Sequence, residues 1–342
     1  MMLYPLRLRH SMALLCGMAV LPSLMLAAET APVAAASTTP KPVETAVPAG
    51  EPLLFTYFNG NGDGLHLAWS TDGLHWSALK NDQPFILPTI GGKLMRDPCI
   101  WHGPDGLYHL VWTTGWNDHG FGYAESKDLI NWSEQKNVPV MEGEPTALNT
   151  WAPEIFYDEV DKEYLIFWAT TIPGKFPETD GQDKNGSNPG YNHRIYFVRT
   201  KDFKTFSKTE LFFNPGFNAI DATIVKDGAR YVMVFKDETN APFPPQKNLK
   251  LAFADHAAGP YGKITAPITG QEWAEGPTAI KIGDQWCVYF DKYRNGRYGL
   301  ITSPDLEHWT DQTDKLSVPK GIRHGTVFRV PAETLTALQK EQ

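Results

Sequence analysis

Ser70-Thr-Asp72-Gly-Leu-His-Trp76 decides the fold, because it recurs along the chain. Ser126-Lys-Asp128-Leu-Ile-Asn-Trp132, Thr200-Lys-Asp202-Phe-Lys-Thr-Phe206 and Ser303-Pro-Asp305-Leu-Glu-His-Trp309 repeat it, and a degenerate copy runs from Ala254-Asp255 to Tyr261. An apolar, aromatic-rich run precedes each copy. A hydroxyl and a carboxylate two residues apart bond to nearby backbone N–H groups and favour a turn. Each copy therefore reads as strand, turn, and an aromatic residue opening the next strand. The closing aromatics at 76, 132, 206, 261 and 309 are spaced by 56, 74, 55 and 48 residues. That period fits a blade of four short strands, and five copies give an all-β, five-bladed propeller. The long interval contains Pro173 to Tyr191, rich in Gly, Asn, Asp and Pro, which reads as an inserted loop.

A second series runs in phase with the first: Arg96-Asp97-Pro, Trp151-Ala-Pro-Glu154, Ile220-Asp221-Ala, Ala274-Glu275-Gly-Pro and Arg323-His324-Gly. Aligned at one register, the marked positions are 97, 152, 221, 275 and 324, spaced by 55, 69, 54 and 49. These intervals track the turn series, so one strand of every blade is involved. Its simplest place is the innermost strand, whose start faces the central channel. The last copy has no strands after it, and Leu53 to Trp76 has no inner strand before it. Arg323 to Val330 is thus expected to close the first blade.

Residues 1–28 read as a secretory signal: Arg7, Arg9 and His10 precede an apolar run from Met12 to Ala27, with small residues at its end. Residues 29–52, of Ala, Pro, Thr and Val, lack large side chains to bury and read as a flexible linker. The propeller then fills 53–342, and a cleaved signal leaves an exported, periplasmic or extracellular chain with no membrane partner. The formal charge of −8 with no basic stripe excludes nucleic acid. After signal removal two cysteines remain, Cys99 and Cys287, and these are expected as buried free thiols rather than a disulfide framework. A monomer is expected.

Asp97, Asp221, Glu275 and His324 occupy four of five equivalent positions, and Glu154 shares its strand's face two residues beyond the fifth. One such acid is commonly a turn cap. Several converging on one axis raise each other's pKa at a cost in stability, which points to chemistry. Two carboxyl groups, one protonating a leaving oxygen and one activating water, cleave a glycoside, and a third tunes the acid. Trp116, Trp151, Trp168 and Phe217 are candidates to stack on a sugar, and Arg96, Arg294 and Arg323 to bind hydroxyls or hold a carboxylate. His193 follows the inserted loop as a further candidate.

The inner-strand motifs resemble those of glycoside hydrolase family 43, the arabinanase, arabinofuranosidase and β-xylosidase family. The resemblance implies a five-bladed propeller and inversion at the anomeric carbon. It implies Asp97 as general base, Asp221 as the acid that tunes pKa and orientation, and Glu275 as general acid. It also places His324 beside a central calcium of structural role, with no cofactor required. Oligo- or polysaccharide is the implied partner, with an α-L-arabinofuranoside favoured among furanosides and xylosides. The inserted loop, by walling off one end of the pocket, points to exo action. Two alternatives are a non-catalytic carbohydrate-binding propeller and a retaining β-fructosidase-like enzyme, whose nucleophile would have to be Asp63.

Overall fold

The recurring turn works as its residues dictate. In a computed structural model, which describes residues 50–180 and 190–341, Ser70 Oγ accepts from the N–H of Gly73 at 2.9 Å, and Asp72 Oδ1 from those of Leu74 and His75 at 2.8 and 2.9 Å. Ser126 with Asp128, Thr200 with Asp202, and Ser303 with Asp305 bond the same positions. The residue after each Asp takes a positive φ, at Gly73, Leu129, Phe203 and Leu306. The side-chain bonds hold three of these non-glycine residues in a conformation they otherwise avoid. Trp76 and Trp132 then donate their indole N–H to the turn carbonyls of Gly73 and Leu129, both at 3.2 Å.

Between the turns run short antiparallel strands. The first blade contains β1 (Leu53–Tyr57), β2 (His66–Ser70) and β3 (Ser77–Ala78); the second β4 (Arg96–His102), β5 (Tyr108–Thr113), β6 (Phe121–Ser126) and β7 (Lys136–Val138). The third has β8 (Trp151–Asp158), β9 (Glu163–Thr170), β10 (Arg194–Thr200) and β11 (Glu210–Phe213). The fourth has β12 (Ala219–Asp227), β13 (Arg230–Asp237) and β14 (Asn248–Ala254). The fifth has β15 (Glu275–Ile282), β16 (Gln285–Lys292), β17 (Arg297–Ser303) and β18 (Thr310–Asp311). Finally β19 (Val327–Arg329) pairs with β1, Leu53 opposite Arg329, and closes the first blade as an inner strand from the other end of the chain. The protein is a five-bladed β-propeller.

The fourth blade departs from the four-strand expectation. Its degenerate copy lacks the hydroxyl–Asp pair and carries Pro260, which has no N–H for a ladder, so the outer strand shrinks to one bridge between Phe253 and Gly262.

Apolar side chains fill five seams, one between each pair of neighbouring blades. Phe167 and Phe235 meet in the seam of blades three and four, Trp168 and Tyr123 in that of two and three, and Phe55 and Tyr289 in that of five and one. The helix α1 (Ala332–Leu338) buries Leu335 and Leu338 on the seam of blades one and two. Burying each such side chain contributes about 1.5–3 kcal/mol. Cys99 and Cys287 are buried free thiols. The described residues, from 50 onward, belong to one compact unit. The signal, most of the linker and residues 181–189 of the inserted loop lie outside the described residues.

Candidate active site

Four inner strands start with the same irregularity. The register slips between Arg96 and Cys99 in β4, Trp151 and Glu154 in β8, Ile220 and Thr223 in β12, and Glu275 and Thr278 in β15. Each slip is a β-bulge, a device that re-aims a side chain at a sheet end. The residue inside each has a positive φ: Asp97 at 54°, Ala152 at 48°, Asp221 at 52° and Gly276 at 57°. Three of the four are not glycine, a strain on the order of 1–3 kcal/mol each, and such strain gathers at functional sites.

The bulges correct the alignment read from sequence. Glu275 stands one residue earlier than Asp97 and Asp221, in register with Arg96 and Ile220, while Gly276 takes the strained position. Gly276 is required there twice over, since a Cβ would also meet the His324 ring at 2.4–2.8 Å.

Hydrogen bonds tie the bulges of neighbouring blades together. Thr113 donates to Asp97 Oδ2 at 2.8 Å and accepts from the Ala152 N–H at 2.8 Å. Asp221 Oδ2 accepts from the Gly276 N–H at 3.0 Å. The result is a cavity of about 540 Å³ at the strand starts, whose lining includes Asp97, Asp221, Glu275 and His324.

The acids differ in charge state. Burial alone pushes the Asp97 carboxyl up, but the bond and charge of His324, the charge of Arg96 and the Thr113 hydroxyl hold it down at about 2. His324 Nδ1 lies 3.3 Å from Asp97 Oδ1. Burial works against its charge, yet Asp97, Asp221 and Glu154 together raise it to about 9. Asp221 is pushed up to about 6 by burial, which outweighs the charges of His324 and Lys236. Glu275 is nearly as enclosed, but Lys236 and Arg323 hold its carboxyl below the ordinary value. Lys236 Nζ lies 3.0 Å from Oε2, and Arg323 Nη2 3.1 Å from Oε1. The charge of Glu275 also helps to raise Asp221.

Arg96, Trp116, Trp151 and Arg294 line the cavity, as does Trp273, under whose face Arg294 sits at 3.4 Å. Trp116 and Trp151 meet edge to face at 5.9 Å. Arg323 stands behind Glu275, outside the lining, where its Nε also bonds Asp291.

Four expected site residues stand elsewhere. Trp168 is 1% exposed and packs in the seam of blades two and three. Phe217 stacks on Phe235, beneath Lys250, on the far side of β13 from the cavity lining. His193 lies behind Trp151, its Nδ1 3.2 Å from Asn218 Oδ1, and burial lowers its pKa to about 3. Glu154 sits beneath the cavity, bonded by the Thr326 and Thr223 hydroxyls at 3.0 and 3.3 Å and by the Cys99 thiol. Burial there pushes it up to about 7, so it holds a proton at mildly acidic pH.

Asp63 caps a turn, accepting from the N–H groups of Asn59 and Gly60 at 3.0 and 2.8 Å, and is outside the cavity lining. Calcium takes six to eight oxygen ligands. His324 offers a protonated ring turned to Asp97, and no group of three or more His, Cys, Asp or Glu side chains is arranged for a metal among the described residues. The side chains around His324 do not fit a calcium ion held directly.

Sequence reasoning missed Thr113, Lys236, Asn240, Lys247 and Tyr293 in the lining. Lys236, Glu238 and Lys247 are buried charges at the end of β13 and just beyond. The signal was present, since Lys236-Asp237-Glu238 ends a run of five buried apolar residues, where a charge needs a partner.

An α-L-arabinofuranosidase of Bifidobacterium longum subsp. longum is 25% identical over 204 residues, 53% of this chain and 19% of that protein, so the match spans about a fifth of the relative's length. Among solved structures, an α-L-arabinofuranosidase from Lactobacillus brevis is similar at 18% identity and a TM-score of 0.47, over 64% of this chain and 72% of that one. An exo-β-1,3-galactanase from Phanerochaete chrysosporium is similar at 13% identity and a TM-score of 0.48, over 71% and 53%. Residues 51–335 match the family described as a probable glycosyl hydrolase domain, and the chain therefore belongs to the glycosyl hydrolases related to family 43.

Proposed function

We propose that the chain is an inverting, exo-acting hydrolase of α-L-arabinofuranosides, exported and working as a monomer. The observation that carries the hydrolytic reading is one cavity lined by three carboxyl groups, Asp97 held in its ionised form and Asp221 and Glu275 beside it. Asp97 orients a water and takes its proton as the water oxygen attacks the anomeric carbon. The glycosidic C–O bond breaks, and the departing oxygen receives a proton from Glu275. Each group acts where it is placed, so water enters on the Asp97 side and the aglycone leaves on the Glu275 side. No metal is needed for these proton transfers. Trp116, Trp151 and Trp273 offer faces for the sugar and its aglycone. Tyr191, at the end of the inserted loop, stacks on Trp151 at 5.0 Å, which supports a wall at that side and hence exo action. The arabinofuranoside is favoured by the curated relative.

A second reading, a sugar-binding propeller without catalysis, is favoured by the ion pairs that Glu275 makes with Lys236 and Arg323. One assay separates the two. The nitrophenyl glycosides of α-L-arabinofuranose, β-D-xylose, β-D-galactofuranose and β-D-fructofuranose are offered to the wild type and to Glu275→Gln. Nitrophenol release from the arabinofuranoside by the wild type, with cleavage of an arabino-oligosaccharide lost in the variant, supports the proposal. Release from another glycoside overturns the sugar but keeps the reaction. Binding of arabino-oligosaccharides with no release from any glycoside favours the second reading.

A further inference from the structure

Glu275 belongs to a row of alternating charges that the reaction as written does not use. Asp291 pairs with Arg323, Arg323 with Glu275, Glu275 with Lys236 at 3.0 Å, Lys236 with Glu238 at 2.6 Å, and Glu238 with Lys247 at 2.5 Å. Lys236, Glu238 and Lys247 are 1%, 5% and 2% exposed, yet all three line the cavity. Three acids and three bases balance, so the row carries no net charge. Its asymmetry lies at Lys236, whose single ammonium serves two carboxylates and is held closer to Glu238 than to Glu275. In so enclosed a place a charge is felt strongly, and moving or removing one neighbour shifts the next.

We propose that Lys236 is a positioning residue: it holds Glu275, Glu238 draws it off, and the balance between the two contacts decides when Glu275 can carry a proton. This rests on the reading of Glu275 as the proton donor. A donor clamped between two cations is poor at its task, because each cation favours the ionised form. Arg323 cannot relax, since Asp291 pins its Nε. Lys236 can, because Glu238 Oε2 offers a second carboxylate oxygen at 2.6 Å, although the Lys236 hydrogen bond goes to Glu275 at 3.0 Å. A sugar that brings its leaving oxygen to Glu275 needs Lys236 only to lean toward Glu238.

The other charged and titratable groups around Glu275 are Asp221 on β12, Asp291 on β16, Tyr293 and Arg294 just after it, and Arg323 and His324 ahead of β19. Lys292, at the end of β16, is occupied by Glu272. Of these, Lys236 is the one whose second partner lies on the cavity wall.

The test titrates Glu275 directly and needs no substrate. Full-length protein carrying glutamate labelled with carbon-13 at the side-chain carboxyl is followed by NMR against pH, and the Glu275 signal is assigned by its loss in Glu275→Gln. Lys236→Met removes a cation and is expected to raise the midpoint by about one unit or more, a tenfold gain in proton affinity. Glu238→Gln leaves Lys236 with Glu275 as its carboxylate and is expected to lower the midpoint. Lys236→Arg keeps the charge and stays close to wild type. Opposite displacements support the proposal, because general loosening of the fold moves both variants the same way. Equal-sign shifts, or a midpoint unmoved in both, overturn it. Glu238→Gln keeps the shape of the side chain and one acceptor oxygen, so it decides the matter alone where Lys236→Met does not fold. If Glu275→Gln retains full hydrolysis of an arabino-oligosaccharide, whose leaving oxygen needs a proton, the assigned role of Glu275 fails, and that result is independent of the titration.

Discussion

Asp97 and Glu275 line one cavity, but the protein neutralises them by different means. Asp97 is held by short, stiff partners: the Thr113 hydroxyl at the end of β5 and the His324 ring, itself wedged against Gly276. Glu275 is held by the tips of two long side chains, Lys236 and Arg323, and one of these is shared with Glu238. A side chain with four rotatable bonds changes partner at small cost, whereas a β-branched hydroxyl or a packed imidazole does not. The blade-two side is thus built for a carboxylate that stays ionised, and the side of blades four and five for one whose proton comes and goes. Those are the demands on a base and an acid respectively.

The comparison breaks most visibly if either carboxyl is neutralised. Asp97→Asn and Glu275→Gln are each expected to lower kcat by about 10²- to 10⁴-fold. They differ with the leaving group: loss of Glu275 is felt less on a nitrophenyl glycoside, whose aglycone departs without a proton, than on an arabino-oligosaccharide. Steady-state rates on both substrates check this, and equal losses on both for Glu275→Gln contradict its role.

Next in size, His324→Asn removes the charge that keeps Asp97 ionised. The Asp97 carboxyl then climbs from about 2, so the ascending acid limb of the kcat/KM profile moves to higher pH by about one unit or more, with the loss greatest at the most acid pH the fold tolerates. An unchanged acid limb in this variant detaches His324 from Asp97.

Stability against pH sharpens the picture from beneath the cavity. Glu154, Asp221 and Asp291 are raised by burial to about 7, 6 and 6, and His324 is raised by its carboxylate neighbours to about 9. Each binds its proton more tightly folded than unfolded, so its contribution is complete below the unfolded pKa and is lost as pH rises through the folded value. Stability is therefore expected to fall between about pH 4.5 and 9. Glu154→Gln, which keeps the size of the side chain, is expected to remove on the order of 2 kcal/mol of that fall between pH 4.5 and 7. Thermal melts at pH 5 and pH 8 read the difference, and parallel curves for both proteins count against the buried proton.

The smallest expected effect is at the wall. Trp151→Ala removes a stacking face and the indole donor to the Trp116 carbonyl, and KM is expected to rise about tenfold with kcat changed less. A loss confined to kcat instead puts Trp151 among the groups that act in the transition state.

The sequence carried the repeat because its turn chemistry is local: the hydroxyl, the Asp and the aromatic act within seven residues and leave their mark four times over. The ring of acids was legible for the same reason. The bulges were not, since a one-residue slip in a strand has no composition of its own, and Glu275 was aligned one place off as a result. Trp168 and Trp151 were indistinguishable as candidates, because a seam and a cavity wall both favour aromatics. Lys236, Glu238 and Lys247 come from the end of one strand and the loop beyond it, and only the closed fourth blade brings them to Glu275.

The most direct test of this account is the anomer released first. Hydrolysis of p-nitrophenyl α-L-arabinofuranoside, followed by proton NMR from the first turnovers, is predicted to yield β-arabinofuranose ahead of its equilibration. If α-arabinofuranose forms first, a covalent glycosyl intermediate is required, and Asp97 is not a base acting through water.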